Sequence, residues 1–197
     1  MRGIILGFLL LGSFCSAYSQ KSIEESYRSY TIIRTTNTNK KAAIDVAIDL
    51  LKRAPELTNS QIANLNFNLG RLYEETMEVE KAIPYYEASL KLAPDYYVTH
   101  RALGSIYVKG TNSLVKKMND AGNAKQMDLY GKLFAEYKQV IVKALPHLEK
   151  AQACDPDEQS YKQITNLYKN IKDLAAIGTL DVRLKKQAIT CVDLLDD

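Results

Sequence analysis

The residue types that most often carry catalysis are few in this chain and lie far apart. His100 and His147 are its two histidines, and their separation matches no metal-ligand spacing. The sequence has no glycine-rich phosphate loop, no His-Glu-x-x-His motif and no Cys-x-x-Cys motif. Neighbouring carboxylates such as Glu74 and Glu75 point apart on a helix, so a two-carboxylate site is not expected. The pattern predicts a protein that is not an enzyme and that uses neither a metal nor a cofactor.

Cysteine usage leaves one chemical question open. Beyond Cys15 near the N-terminus, the chain has Cys154 and Cys191. A disulfide between them is compatible with an exported protein. Both residues also fall in apolar helical patterns, where a free cysteine behaves as a small hydrophobic residue, and that interpretation is favoured.

Composition and charge narrow the class of protein. Charged residues make up 25% of the chain and hydrophobic residues 46%, close to the average for soluble globular domains. The formal net charge is +3, and Lys116-Lys117 and Lys185-Lys186 are isolated pairs rather than a basic stripe. Nucleic acid is therefore not an expected partner.

The first 19 residues have the pattern of a signal peptide. Arg2 gives a positive start, and residues 4–14 form an apolar run too short to span a bilayer as a helix. Residues 17–19 have the small-x-small form of a cleavage site. Lipidation at Cys15 and an uncleaved anchor are the alternatives, and the large Phe14 before Cys15 argues against lipidation. We expect an exported protein, periplasmic in a bacterium, whose mature chain 20–197 is one domain with no membrane span.

Two stretches of the chain repeat one pattern with a period of 34 residues. Residues of the first stretch, 63–96, fall at helical spacing, with small side chains where two helices must approach and a proline at the end. The first stretch reads Asn66-x-x-Leu69-Gly70-x-x-Tyr73, Ala82-x-x-x-Tyr86 and Pro94. The second begins His100-x-x-Leu103-Gly104-x-x-Tyr107 and ends Ala144-x-x-x-Leu148 to Pro156.

This pattern closely resembles the tetratricopeptide repeat, a helix–turn–helix unit that stacks on copies of itself. The second repeat, 97–157, carries an insertion of about 28 residues around 110–137, when it is aligned to the family pattern. Weaker copies flank the two, with helices expected at 23–34 and 40–52, near 161–168, and at 174–188. The resemblance implies an all-α fold, a short right-handed α-solenoid of about four helical hairpins, one of them elongated.

The insertion is expected to lengthen both helices of the second hairpin. Residues 107–118 and 127–148 keep helical spacing, and 119–123 form a turn signal. About 14 extra residues in each helix would make the hairpin overhang the solenoid by about 20 Å. The stripe of Tyr130, Phe134 and Tyr137 either zips the two helices together or anchors a partner.

The resemblance also implies where a partner binds. In similar proteins the first helix of each pair lines a concave groove, and the candidate groove residues here are Asn64, Phe67, Asn68, Arg71, Glu75, Arg101, Ser105 and Val108. Their amide, aromatic and guanidinium groups suit an extended peptide, although ordinary solvated side chains would give the same pattern. His100 occupies a packing position of the repeat, and His147 is expected at the surface.

Two functions follow as hypotheses from these patterns. The first is a scaffold that binds a peptide or protein partner in the groove. The alternative is an assembly subunit of an envelope complex that docks through the elongated hairpin 110–140. A homo-oligomer is compatible with both.

Overall fold

The computed structural model describes residues 21–36 and 39–194, and within these residues the chain is helical with no β-strand. The all-α class is therefore confirmed. The α-helices are α1 Ile23–Thr35, α2 Lys40–Lys52, α3 Asn59–Glu75, α4 Val79–Leu92, α5 Tyr97–Gly110, α6 Asn112–Asn123, α7 Met127–Cys154, α8 Glu158–Asn170, α9 Leu174–Gly178 and α10 Leu180–Gln187, with 3₁₀ segments Ala54–Glu56 and Ala188–Thr190. The expected signal peptide and Cys15 lie outside the described residues.

The helices pack largely in the order of the chain. Helix α1 packs on α2, α3 on α4, α6 on α7 and α7 on α8, while α5 packs mainly on α7. Helix α3 is central, since every residue from Ala63 to Gly70 is buried. One core cluster joins α1 to α5 and a second joins α6 to α10.

In both predicted hairpins a glycine of the first helix packs directly against a large side chain of the second helix. A Cβ at Gly70 would lie 2.5 Å from a ring carbon of Tyr86, and one at Gly104 would lie 2.7 Å from a methyl carbon of Leu148. Ala82 and Ala144, four residues before these large side chains, are fully buried. Gly70 and Tyr86 are 16 residues apart and Gly104 and Leu148 are 44 apart, so the second contact spans 28 more residues.

Three helix-to-helix turns have one backbone geometry, centred on Met77, Lys125 and Lys172. Each of these residues has a positive φ, between 57° and 64°. In each turn the next N–H bonds to a carbonyl five residues back, for example Glu78 to Tyr73 at 2.8 Å. This is the Schellman helix ending, which glycine most often occupies because a left-handed backbone strains other residues.

Three sequence expectations about helix limits are wrong. The turn expected at 119–123 is helical through Asn123, because the buried Met118 and Ala121 keep α6 packed on α7. The expected continuous helix through 118 breaks at Thr111, whose hydroxyl donates to the Val108 carbonyl at 2.7 Å. The helix expected at 174–188 is interrupted after Gly178, a residue of low helix propensity.

Candidate functional site

The last described residues, 191–194, form an extended segment that we call the C-terminal tail. The Val192 N–H donates to the Asp95 carbonyl oxygen at 3.0 Å, and the Tyr97 N–H donates to the Val192 carbonyl oxygen at 3.4 Å. These bonds pair Val192 with Tyr96 as an isolated parallel β-bridge. The tail is thus held by main-chain hydrogen bonds, as proteins commonly hold extended peptides.

The end of the tail lies against α3. The Leu194 side chain is only 7% exposed and belongs to the first core cluster. The Asn64 side-chain amide donates to the Leu194 carbonyl oxygen. The Asn64 amide oxygen accepts from Asn68, and the Asn68 amide oxygen accepts from Arg34 at 3.2 Å. A chain of side-chain hydrogen bonds from α1 therefore fixes the amide that binds the tail.

We call the surface formed by Asn64 and residues 95–97 the tail-binding groove. It offers one carbonyl acceptor, one N–H donor and one amide donor to an extended backbone, and it buries one aliphatic side chain. These are the features that bind a peptide by its main chain and select it by a side chain.

Three predicted groove residues are buried rather than accessible. Asn64, Phe67 and Asn68 are 3%, 4% and 3% exposed. The Phe67 ring lies 5.2 Å from the Tyr96 ring, and Asn64 bonds to the tail and to Asn68. The expectation of an open face was wrong here because the tail and the start of α5 cover this part of α3.

The other predicted residues occupy varied positions. Arg71 and Glu75 are exposed and form an ion pair at 3.5 Å, which contributes little stability at a surface. Arg101 donates to the Asp155 carboxylate at 2.8 Å. Ser105 is half-buried, whereas Val108 packs against both core clusters and does not line the groove.

A shallow cleft of about 300 Å³ adjoins these residues on α3 and α5. Phe67, Arg71, Arg101 and Ser105 line it together with Lys109. The structure therefore brings four of the predicted residues together, beside the surface that the tail covers.

Two adjacent charged residues of α7 hold the chain just before the tail. The buried Glu149 carboxylate accepts two bonds from the Arg183 guanidinium, at 2.6 and 3.0 Å. The Lys150 ammonium donates to the Asp95 carboxylate at 2.7 Å, to the Gln187 carbonyl at 3.0 Å and to the Thr190 hydroxyl at 2.9 Å. This last set of bonds fastens the end of α10 beside the groove.

A disulfide completes the attachment of the tail. Cys154, the last residue of α7, is bonded to Cys191, with 5.5 Å between the Cα atoms. The sequence favoured two free thiols, and that interpretation is wrong. A separation of 37 residues does not by itself predict that two cysteines are close. The folding of α8 to α10 brings these two together.

The two histidines form a pair that their sequence spacing did not suggest. Their Nδ1 atoms are 2.9 Å apart, and the His100 Nε2–H donates to the Pro94 carbonyl at 2.8 Å. His147 is therefore half-buried and not on the surface as expected. Burial, followed by the neighbouring His100 and Lys143, lowers the pKa of His147 to about 4, so both rings are neutral at pH 7.

A larger cleft of about 610 Å³ lies beside His100 between α5, α7 and α10. The hydrogen bond from Lys150 is the main cause that lowers the pKa of Asp95. The three Lys150 donors are all engaged, and Arg183 is paired with Glu149. Asp95, Lys150 and Arg183 are thus engaged in ion pairs that dock α10, while the exposed Lys186 also lines the cleft.

The described part of the chain has neither a cluster of metal-binding side chains nor a membrane-spanning helix. Among residues 21–36 and 39–194, no group of three or more His, Cys, Asp or Glu side chains is arranged to hold a metal ion. No helix in that described part combines the length and the apolar character needed to cross a membrane.

The aromatic stripe of the long hairpin packs inside the molecule. Tyr137 is 5% exposed, and Tyr130 and Phe134 pack against the second core cluster. Successive rings of the stripe are 6.4 Å apart. The stripe therefore contributes to the second core cluster, and beyond α7 Phe134 and Tyr137 contact Lys172 and Asn170 at the end of α8.

Sequence reasoning missed the residues that bind the tail. Asp95 and Tyr97 act through backbone groups, which no side-chain pattern reveals. Leu194 carried no distinct signal, because Val192 and Leu195 beside it are also apolar. No protein-family model and no curated protein sequence matches the chain.

Proposed function

We propose that this chain is a non-enzymatic protein-interaction scaffold that binds an extended peptide or protein segment in the tail-binding groove. One observation carries the proposal: an extended segment, the chain's own tail, already lies there. Its backbone bonds to Asp95, Tyr97 and Asn64 are independent of the side chains of the bound segment. A foreign segment with an aliphatic residue in the place of Leu194 would make the same contacts.

The scaffold proposed is a tetratricopeptide-type, right-handed α-solenoid of about four hairpins. The equivalent contacts of Gly70 with Tyr86 and of Gly104 with Leu148 support this assignment. The largely sequential packing of the helices supports it as well, because each unit of a solenoid touches mainly its neighbours.

Export from the cytoplasm, with loss of residues 1–19, is part of the proposal. The Cys154–Cys191 disulfide supports it, because such bonds persist mainly in oxidising compartments such as the periplasm. The partner is accordingly sought among exported proteins, and neither nucleic acid nor a cofactor is proposed.

Binding of a labelled peptide tests this function. The probe is a fluorescent peptide of residues 189–197 carrying Cys191→Ser, which we call the tail peptide. The receptor is the full chain with Leu194→Asp, because a carboxylate cannot enter the core and the chain's own tail is displaced. We expect saturable binding by fluorescence anisotropy.

A second substitution locates the binding site. Adding Asn64→Ala removes the amide donor and should weaken binding of the tail peptide about tenfold, the value of one hydrogen bond whose partner is left unpaired. Asn59→Ala is the matched control, since Asn59 is exposed on the same helix. Absence of saturable binding, or equal affinity for the Asn64 and Asn59 variants, would contradict the proposal.

A second candidate function is docking through the α6–α7 hairpin. Met127 is 64% exposed and Leu129 is 45% exposed next to the turn. If the hairpin docks to a second copy of the chain, the double variant Met127→Ser with Leu129→Ser should abolish self-association, measured by sedimentation velocity. Binding of the tail peptide should remain unchanged. Unchanged sedimentation would exclude this route for self-association.

A further inference from the structure

The disulfide lies at the one position that controls the tail most directly. Cys191 immediately precedes Val192, the residue that pairs with the backbone of residues 95–97. Upstream, Thr190 is held separately by Lys150 and by the Asp95 carboxylate, at 2.9 and 2.8 Å. The chain up to residue 190 is therefore fastened with or without the disulfide, which adds a covalent tether directly before the tail.

We propose that the C-terminal tail is a plug that the Cys154–Cys191 disulfide holds in the tail-binding groove, and that thiol–disulfide exchange opens the groove to a peptide ligand. This inference rests on the proposed function of the groove. It adds the regulation of that site and the chemical class of its trigger, a dithiol.

Plug and ligand exclude each other because they need the same groups. The Asp95 carbonyl, the Tyr97 N–H and the Asn64 amide each bond to the tail. The space for an aliphatic side chain is filled by Leu194. A ligand that binds by an extended backbone must displace all four contacts.

Without the disulfide, the tail is only weakly held. Its attachments to the groove include two main-chain hydrogen bonds, one bond from Asn64, the burial of Leu194 and the packing of Val192 against the first core cluster. The Tyr97 hydroxyl adds one bond to Asp193 at 3.3 Å. The loss of backbone freedom on ordering these residues is of similar size to the gain from such contacts. A tail released from Cys154 therefore exchanges readily between seated and free states.

Neither cysteine of the disulfide is buried. Cys191 is exposed and Cys154 is half-buried. Exposed disulfides are the labile and regulatory ones, whereas structural disulfides resist reduction. Within the described residues this bond lies at the surface, next to the segment that it controls.

The exchange balances with a dithiol as the reductant. A thiolate of the dithiol attacks the Cys191 sulfur, forming a mixed disulfide and releasing the Cys154 thiolate, which takes a proton from water. The second thiol of the dithiol, as thiolate, attacks its own sulfur in the mixed disulfide and releases the Cys191 thiolate, which is protonated in turn. Two electrons pass from the dithiol to the protein, and the dithiol leaves as a disulfide.

The test compares affinity for the tail peptide in two redox states of the full chain. We expect the chain reduced with dithiothreitol to bind the tail peptide at least about tenfold more tightly than the oxidised chain. The double variant Cys154→Ser with Cys191→Ser should bind as the reduced chain does, without reductant. Far-ultraviolet circular dichroism monitors that both remain folded.

The Leu194→Asp chain, measured both oxidised and reduced, separates the two proposals. It opens the groove without touching either cysteine, so it should bind the tail peptide in both redox states. Equal affinity of the unmodified oxidised and reduced chains, with binding to the Leu194→Asp chain intact, would overturn the plug and leave the groove function standing. No binding to any of these chains would overturn the groove function itself.

Discussion

The buried pair of Glu149 and Arg183 predicts an unequal response to two substitutions. The Glu149 side chain is 4% exposed and the Arg183 side chain is 31% exposed. Removing the guanidinium with Arg183→Met leaves a buried carboxylate with only the Tyr168 hydroxyl as a partner. Removing the carboxylate with Glu149→Leu leaves an arginine that can turn towards water.

The magnitudes follow from this difference in burial. Breaking a buried ion pair from one side costs about 3–5 kcal/mol, and Arg183→Met should fall in that range. Glu149→Leu should cost about 1–3 kcal/mol, since the remaining cation is partly hydrated. The double variant should lose far less than the sum, because an apolar pair of similar volume replaces a buried ion pair at little cost.

Urea unfolding measures these differences. With a slope of about 2 kcal/mol per molar urea, Arg183→Met should lower the midpoint by about 2 M. Lys185→Met, at an exposed position of the same helix, is the control and should change stability by less than about 0.5 kcal/mol. Equal losses for the two single variants, or additive losses in the double variant, would refute the reasoning.

Three further predictions concern the core, a turn and the histidine pair. Gly70→Ala should lower the free energy of unfolding by about 1–3 kcal/mol, because its Cβ would meet the Tyr86 ring at 2.5 Å; an unchanged urea midpoint would exclude that contact. Met77→Gly should raise stability by about 1 kcal/mol in a thermal melt, since Met77 has a φ of 64° and is 85% exposed, and a lower melting temperature would contradict the turn geometry. The pKa of His147 is about 4, below its value of about 6.5 when unfolded, so the unfolded chain takes up the proton first. The free energy of unfolding, measured with urea, should therefore fall by about 2–3 kcal/mol between pH 6.5 and pH 4. His147→Gln should flatten this dependence on pH.

Much of the helical fold could be predicted from local pattern. Helix α2 begins and ends at the expected residues, and the contacts at Gly70 and Gly104 join the small and large residues that the spacing had paired. These features depend on the helical period and on side-chain size, which a sequence displays directly.

The candidate site was less predictable because it depends on long-range placement. The tail has no periodic pattern, and its seat uses the backbone of Asp95 and Tyr97. The pairings of Cys154 with Cys191 and of His100 with His147 join residues far apart in the chain. The late turn at Lys125 shows that buried contacts of α6 outweigh a local turn signal.

Amide hydrogen exchange at Val192 tests most directly whether the groove holds an extended segment. In the oxidised chain the Val192 N–H bonds to the Asp95 carbonyl, so its exchange should be at least about 100-fold slower than in an unstructured peptide. Leu194→Asp, or an excess of the tail peptide added to the reduced chain, should abolish this protection. Exchange at the unstructured rate in the oxidised chain would contradict a seated tail and, with it, the proposed groove.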